Sequence, residues 1–462
     1  MNLAQAIEKE TNKTTTENGM KAYISTLNSC VDLFSSVGAM RGKDILPSFA
    51  KALAEDQDKA VRIMLWARDI RGGAGERKLF RDALVYLAQN DYTQALKLIP
   101  KTPELGRWDD LLVLLNTSCE REAVEAIRAA LLAGNGLAAK WMPRKGPIAD
   151  RLRKLLEWTP KFYRKTLVTL TAVVEQQMCA GKWNEINYNH VPSVASARYQ
   201  KAFGRHDQEG YAAYLASLQK GEAKINANAV YPYDITKTIM YGNSAVADQQ
   251  WKALPNYVPE GVDVLPVVDV SGSMSAPAGG SSTVRCVDVA ISLGLYLSER
   301  LTGVWKDKFI TFSEKPELCY TTGSLSTRFM QMARAGWGYN TNFEAVFKLI
   351  LDVAVKFNLE QKDIPQKVVV FSDMQFDAAS GGKQDAYKMV KKMFKEQGYK
   401  APEMIFWNLN DKGNKPTTFD KEGVCMVSGF SPAIMKTVLS GKITTPEDIM
   451  NEVIMQERYS WM

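Results

Sequence analysis

At 462 residues the chain is long for a single core, which predicts two or three domains, and its 46% hydrophobic and 24% charged content is that of a globular protein. With no run of 18 apolar residues and no apolar leader, the reading excludes a membrane span and a secretory signal. Six cysteines without a CxxC pair predict reduced thiols in the cytoplasm and argue against structural zinc, and the net charge of +7 is modest.

In chain order, residues 1–20 read as a loose polar segment. Residues 21–220 read as helical, with apolar side chains three and four apart in KAVRIMLWARDI, RKLFRDALVYLAQN, REAVEAIRAALLAG and FYRKTLVTLTAVVEQQMCAG. The breakers RGGAGE, KTPELG, GNG and EWTP separate them. This predicts a HEAT-like or related helical array, although no strict repeat is present. RGGAGERK lacks phosphate-loop spacing and a preceding strand, so it reads as an interhelical loop, with Arg71, Arg77 and Lys78 facing an opening of the array. Arg107-Trp108-Asp109-Asp110, at a helix start, reads as a structural lock.

Between Lys140 and Arg205 stand thirteen Lys/Arg against four Asp/Glu, an excess of nine that leaves the rest of the chain at −2. Either these are solvated helix faces, or they form an anion-binding surface, for which nucleic acid is the commonest partner. Under the second reading Lys140, Arg144, Lys145, Arg151, Arg153, Lys154, Lys161, Arg164, Lys165, Lys182, Arg198, Lys201 and Arg205 contact phosphates. Trp141, Trp158, Phe162, Tyr163 and Trp183 are candidates to stack on unpaired bases, although helical periodicity assigns most of them to the core. His190 and His206 are the only histidines, too few for a His-based triad or metal cluster.

Residues 221–260, rich in Asn, Tyr and Pro, read as a connection with one or two helices. From 261 to 462 the pattern alternates. Strands VDVLPVVDV, KDKFITFSE, PELCYTT, KVVVFSDMQF, EMIFWNLN and GVCMVSGF are interleaved with helices, which predicts a doubly wound, Rossmann-like α/β domain. Ligands in such folds bind beyond the carboxyl ends of the strands. Asp269, Ser271 and Ser273 follow the first strand, with Gly272 permitting a tight turn, and Asp373 ends another. Thr341 stands in GYNTNFEAVF at a loop-to-helix transition. Two carboxylates with hydroxyls suit Mg²⁺, or another divalent cation such as Mn²⁺ or Ca²⁺. An Asp-x-Asp phosphatase would need a second Asp where Ser271 stands, and no general base is nearby, so the site reads as a binding device and the protein as a non-enzyme.

The spacing Asp269-x-Ser271-x-Ser273, then Thr341, then Asp373 resembles the metal-ion-dependent adhesion site of von Willebrand factor A domains. That resemblance implies an open coordination position for a partner carboxylate or small anion. A helical array joined to such a domain resembles the Ro autoantigen (TROVE) architecture, which implies helices closing into a ring and RNA bound in and around it. Asn189-His190-Val191-Pro192 is similar to the Ro rim turn Ser-His-Leu-Lys-Pro, lacking its Lys, and this adds His190 to the RNA candidates; a helix-cap or core histidine is the alternative. Further motifs resemble an uncharacterised Ro-like family of phages, giant viruses, bacteria and plants. They are Asp69-Ile70-Arg71-Gly72-Gly73, Gly75-Glu76-Arg77-Lys78, Gly106-Arg107-Trp108-Asp109-Asp110, Val191-Pro192-Ser193, Arg198-Tyr199, Gly429-Phe430-Ser431 and Glu457-Arg458-Tyr459. The expectation is a cytoplasmic Ro-like protein that binds single-stranded or misfolded RNA. The alternatives are a metal-dependent protein-interaction module, partnering an ATPase or larger assembly without RNA, and a metal-dependent phosphoesterase.

Overall fold

Strand β3 (Val264–Asp269) is buried at every position, and so is β6 (Lys367–Ser372). Successive strand residues point to opposite faces, so such strands need cover on both sides, and their near-continuous apolar sequences supply it. A computed structural model describes residues 2–171, 173–227, 229–240, 244–279, 281, 283–312, 315–335, 341–378 and 386–461. Among them β1 (Lys13–Thr15) and β2 (Lys21–Tyr23) form an antiparallel hairpin. A six-stranded sheet adds β4 (Lys308–Phe312), β5 (Leu318–Tyr320), β7 (Glu403–Asn408) and β8 (Val424–Ser428), in the order β5-β4-β3-β6-β7-β8. All neighbours are parallel except the edge strand β5, which pairs antiparallel with β4.

The expected order of strands and helices in this half is therefore present as an α/β arrangement, beside a mainly helical region. Several flanking residues of the expected elements, namely Ser313, Glu314, Gly338, Tyr339, Asn340, Gln384 and Asp385, lie outside the described residues. From β3 the chain moves outward to β4, then returns to the other side of β3 as β6. The order of the strands thus switches between β3 and β6, which is where an open α/β sheet presents a crevice at its carboxyl rim.

The chain divides into two compact units. The first joins Met1–Ile63 to Val230–Gln456 and contains the sheet. Helix Cys286–Arg300 is buried along most of its length and packs on β3, while helix Ser29–Ser36 packs on β8. The second contact is close: a Cβ at Gly38 would lie 2.2 Å from Gly429 Cα, so only glycine permits it. Residues 1–20 are not a loose start. They form helix Leu3–Thr11 and the hairpin, whose turn at Gly19 takes φ 90°. The connection 221–260 is divided: residues up to Ala229 belong to the helical unit, and from Val230 onward, with helices Pro232–Met240 and Ser244–Lys252, it belongs to this one.

The second unit is Met64–Ala229 with Glu457–Met462, so the end of the chain leaves the α/β unit in which sequence reading placed it. Its helices include Lys78–Asn90, Tyr92–Leu105, Glu120–Leu132, Pro147–Leu155 and Ser193–His206. The expected single helix over 162–181 is two, Pro160–Leu170 and Val174–Cys179. Thr171 ends the first in an extended conformation with its hydroxyl on the Leu167 carbonyl, and β-branched Val173 is extended just ahead of the second. Arg107-Trp108-Asp109-Asp110 forms the expected lock: buried Asp110 accepts from Arg68 Nε and Arg81 Nε, both at 2.7 Å, and Asp109 accepts from Arg81 and Arg107. No described helix is long and apolar enough to cross a membrane.

Candidate functional site

Asp269 closes β3 at the rim of the switch point and is fully buried. Its Oδ1 accepts from the Ser271 backbone amide at 3.0 Å, and its Oδ2 from the Ser372 hydroxyl at 2.6 Å. The tight turn after it brings the Ser271 and Ser273 hydroxyls within 3.1 Å of each other. Asp373 directly follows β6 and is 1% exposed. Its Oδ1 accepts from the Gln375 amide, but buried Oδ2 has no hydrogen-bond partner. Burial, and then the charge of Asp373, push the Asp269 carboxyl up to about 7. Burial also raises Asp373, only partly offset by the Gln375 amide and the neighbouring Ser273 hydroxyl.

Thr341 lies immediately before Asn342, whose side chain caps helix Phe343–Lys356 through the Ala345 amide. The Thr341 hydroxyl donates to the Gln375 carbonyl at 2.6 Å, two residues beyond Asp373. Direct interactions thus join Asp269, Ser271, Ser273 and Asp373, while Thr341 is tied to the same rim through Gln375. Ser273 and Gly272 are exposed and leave the cluster open to solvent on one side.

Sequence reading missed a wall of this site. The turn of the N-terminal hairpin lies against it: Thr16 Oγ1 donates to the Phe376 carbonyl at 2.6 Å, and the Glu17 amide donates to Gln375 Oε1 at 2.8 Å. Asn18 Nδ2 donates to the Gln375 carbonyl at 2.8 Å and to Thr341 Oγ1 at 3.2 Å. Lys412 pairs with Glu17 at 3.2 Å. The available signal was Asn18-Gly19 between KTT and KAY, a hairpin signature. Ser372, which orients Asp269, was also missed.

Among the described residues no three His, Cys, Asp or Glu side chains gather as a metal-holding group. A cation at this rim would rest on two carboxylates and hydroxyls, all hard oxygen donors. That set, with one buried carboxylate oxygen left without a donor, fits Mg²⁺ and offers nothing to a soft metal.

The helical unit presents the other candidate surface. Arg144, Lys145, Arg151, Lys154, Lys161, Arg164, Lys165, Lys182, His190, Arg198, Lys201 and Arg205 are exposed, while Lys140 and Arg153 are half-buried. Arg151 pairs with Glu120 at 2.5 Å and Lys182 with Glu185 at 3.0 Å. The other eleven cations have no carboxylate within ion-pair distance among the described residues; Arg144 donates to Thr171 Oγ1 and Arg153 to the Trp158 carbonyl. His190 sits in the turn Tyr188–His190, so it is not a core histidine. Asn226 fastens that turn through the Asn189 and Val191 carbonyls.

The aromatics divide. Tyr163 is buried, with its hydroxyl on the Pro143 carbonyl; Trp183 stacks on His206 at 4.4 Å; Trp141 lies under Arg107 at 3.8 Å. Phe162, 48% exposed and edge-on to half-buried Trp158, is the one of the five open as a stacking platform.

Two families match the chain by sequence. Residues 16–134 and 123–260 match the family described as "Domain of unknown function (DUF2828)", and the chain belongs to it. Residues 263–460 match a second, "Domain of unknown function (DUF7788)". The chain is also 28% identical over 503 residues to "Uncharacterized protein L728" of Acanthamoeba polyphaga mimivirus, an alignment covering 95% of this chain and 86% of that protein.

Proposed function

We propose that the protein is a Ro-like RNA-binding protein. The observation that carries the reading is the set of eleven cations between Lys140 and Arg205 with no carboxylate within ion-pair distance among the described residues, eight of them between Lys140 and Lys165. Unpaired Lys and Arg are suited to phosphates, and exposed Phe162 offers a surface for an unpaired base. The ligand is single-stranded or misfolded RNA, in which bases are free to stack. The α/β unit is a von Willebrand factor A-like domain in which Asp269, Ser271, Ser273, Thr341 and Asp373 hold Mg²⁺. The ion would supply an open coordination position for an anionic group, without hydrolysis. Filter binding of total RNA at 50 and 200 mM salt tests the reading. Binding at low salt that falls steeply at the higher salt is expected, and no affinity at the lower salt overturns it.

A second reading is favoured by the unpaired Oδ2 of Asp373 beside exposed Ser273: a divalent cation held at the rim grips an acidic residue of a protein partner, and the helices are a scaffold. Asp269→Ala distinguishes the two. It should abolish partner capture under this reading and leave RNA affinity unchanged under the first.

A further inference from the structure

The opposite end of the sheet carries a separate feature. Asp269 and Asp373 stand at the carboxyl rim, whereas Lys367 and Glu403 open β6 and β7 at the amino rim, a six-residue strand, or about 20 Å, away. There a concavity of about 340 Å³ opens between helix Ala386–Glu396 and the starts of β7 and β8. It is lined by Tyr387, Lys391, Lys395, Lys400, Glu403 and Lys442, with Glu422 beside them.

The charges are unbalanced. No carboxylate lies within ion-pair distance of Lys391, Lys395, Lys400 or Lys442 among the described residues. Lys391 lies over the Tyr387 ring at 4.5 Å and donates to the Glu422 carbonyl at 3.2 Å, so its ammonium is fixed at the wall. Burial works to lower its pKa, Glu422 opposes this, and Lys400, Lys421 and Lys442 then lower it further, which places these cations close enough to repel. Behind them Lys367 is 7% exposed, its ammonium held by the Leu439 carbonyl at 2.7 Å and the Gly441 carbonyl at 2.5 Å. It adds a positive charge that water screens poorly. Glu403 Oε2 already accepts from the Ile443 amide at 2.9 Å, so it is anchored to the backbone beside Lys442.

We infer that this concavity is a binding site for a small phosphorylated ligand carrying at least two phosphate charges and hydroxyl groups, a nucleotide or sugar phosphate in class. The volume is that of a small-ligand pocket, about 300–1,000 Å³, and not of a groove for a chain. Converging ammonium groups are point-charge partners for phosphate oxygens, and Glu403 and Glu422 remain as acceptors for hydroxyls. The inference is independent of RNA binding, which rests on the other unit, and of the metal rim.

Calorimetric titration of the full chain with inorganic pyrophosphate and with adenosine diphosphate, in EDTA to exclude a cation, provides the test. Lys400→Gln/Lys442→Gln removes two exposed cations without touching the core, and a melting curve checks its fold. Binding of either probe below about 1 mM, weakened about tenfold or more in the variant, is expected. No heat from either probe, equal binding by the variant, or equal competition by sulfate at matched ionic strength overturns the inference.

Discussion

Arg458 holds Asp69 by both carboxylate oxygens: Nη2 donates to Oδ1 at 2.9 Å, and Nε donates to Oδ2. Tyr459 adds its hydroxyl to the same Oδ2 at 3.1 Å. A carboxylate with no exposed surface is thereby matched to residues 389 and 390 positions away. Arg458→Ala leaves Asp69 buried with the Arg71 and Gly72 amides and Tyr459 as donors. Removing one partner of a buried pair costs about 3–5 kcal/mol, and the partial exposure of Arg458 places this one at the low end. Urea denaturation of the variant should show a loss of about 3 kcal/mol; an unchanged midpoint contradicts the role of the pair.

The same carboxylate sets a pH dependence. Burial alone would raise its pKa, but Arg458 and the Arg71 and Gly72 amides outweigh burial and hold it below the usual carboxylate range. A depressed folded pKa contributes stability above the unfolded value, about 3.9, that is lost as pH falls through the folded one. Stability of the wild type should therefore decline below about pH 4 more steeply than that of Arg458→Ala. Parallel melts from pH 6 to pH 3 compare the two slopes.

At the carboxyl rim of the sheet the buried carboxylates of Asp269 and Asp373 repel one another. Asp373→Asn removes one like charge, so in EDTA the variant should melt above the wild type. Mg²⁺ at about 100-fold over its Kd should raise the wild-type Tm by about 5 °C and leave the variant unmoved. Scanning calorimetry with and without Mg²⁺ reads both, and a wild type indifferent to the ion excludes the site.

The hairpin turn offers an independent handle on that rim. Asn18→Ala deletes hydrogen bonds to the Gln375 carbonyl and Thr341, at about 1 kcal/mol each. The expected result is a melting temperature lower by a few degrees and a smaller Mg²⁺ increment, with far-UV circular dichroism unchanged.

On the helical unit, Lys161→Gln/Arg164→Gln/Lys165→Gln removes three exposed charges from one helix. If each meets a phosphate of single-stranded RNA, the slope of log K against log salt falls by about 2. An unchanged slope moves the RNA surface elsewhere.

What the sequence disclosed follows from which forces leave a local trace. The strands of the sheet were legible because burial on both faces demands unbroken apolar runs, and Asp269 and Asp373 stood out as carboxylates ending such runs. Residues 1–20 were illegible for the opposite reason. Thr16, Glu17 and Asn18 are held by hydrogen bonds to residues more than 300 positions away, and a polar side chain bonded to a distant carbonyl looks the same as one bonded to water. Arg458 and Tyr459 were noticed as wording, yet their partner Asp69 lies in the other unit of the sequence reading, and no periodicity links them. The lysines around Tyr387 escaped because they come from separate segments, diluted by Glu396, Glu403 and Glu422 in any running count of charge.

The alternation of the chain between its two units bears on synthesis. The ribosome begins the sheet-containing unit, leaves it at Ile63, makes most of the helical unit, and returns at Val230. Arg458 and Tyr459 emerge 389 and 390 residues after Asp69, so its pairing with them waits until the sheet-containing unit has been made. Neither unit corresponds to a continuous stretch of messenger, and a chain stopped after Gln456 would lack the fastening of the helical unit while its sheet-containing residues were all present.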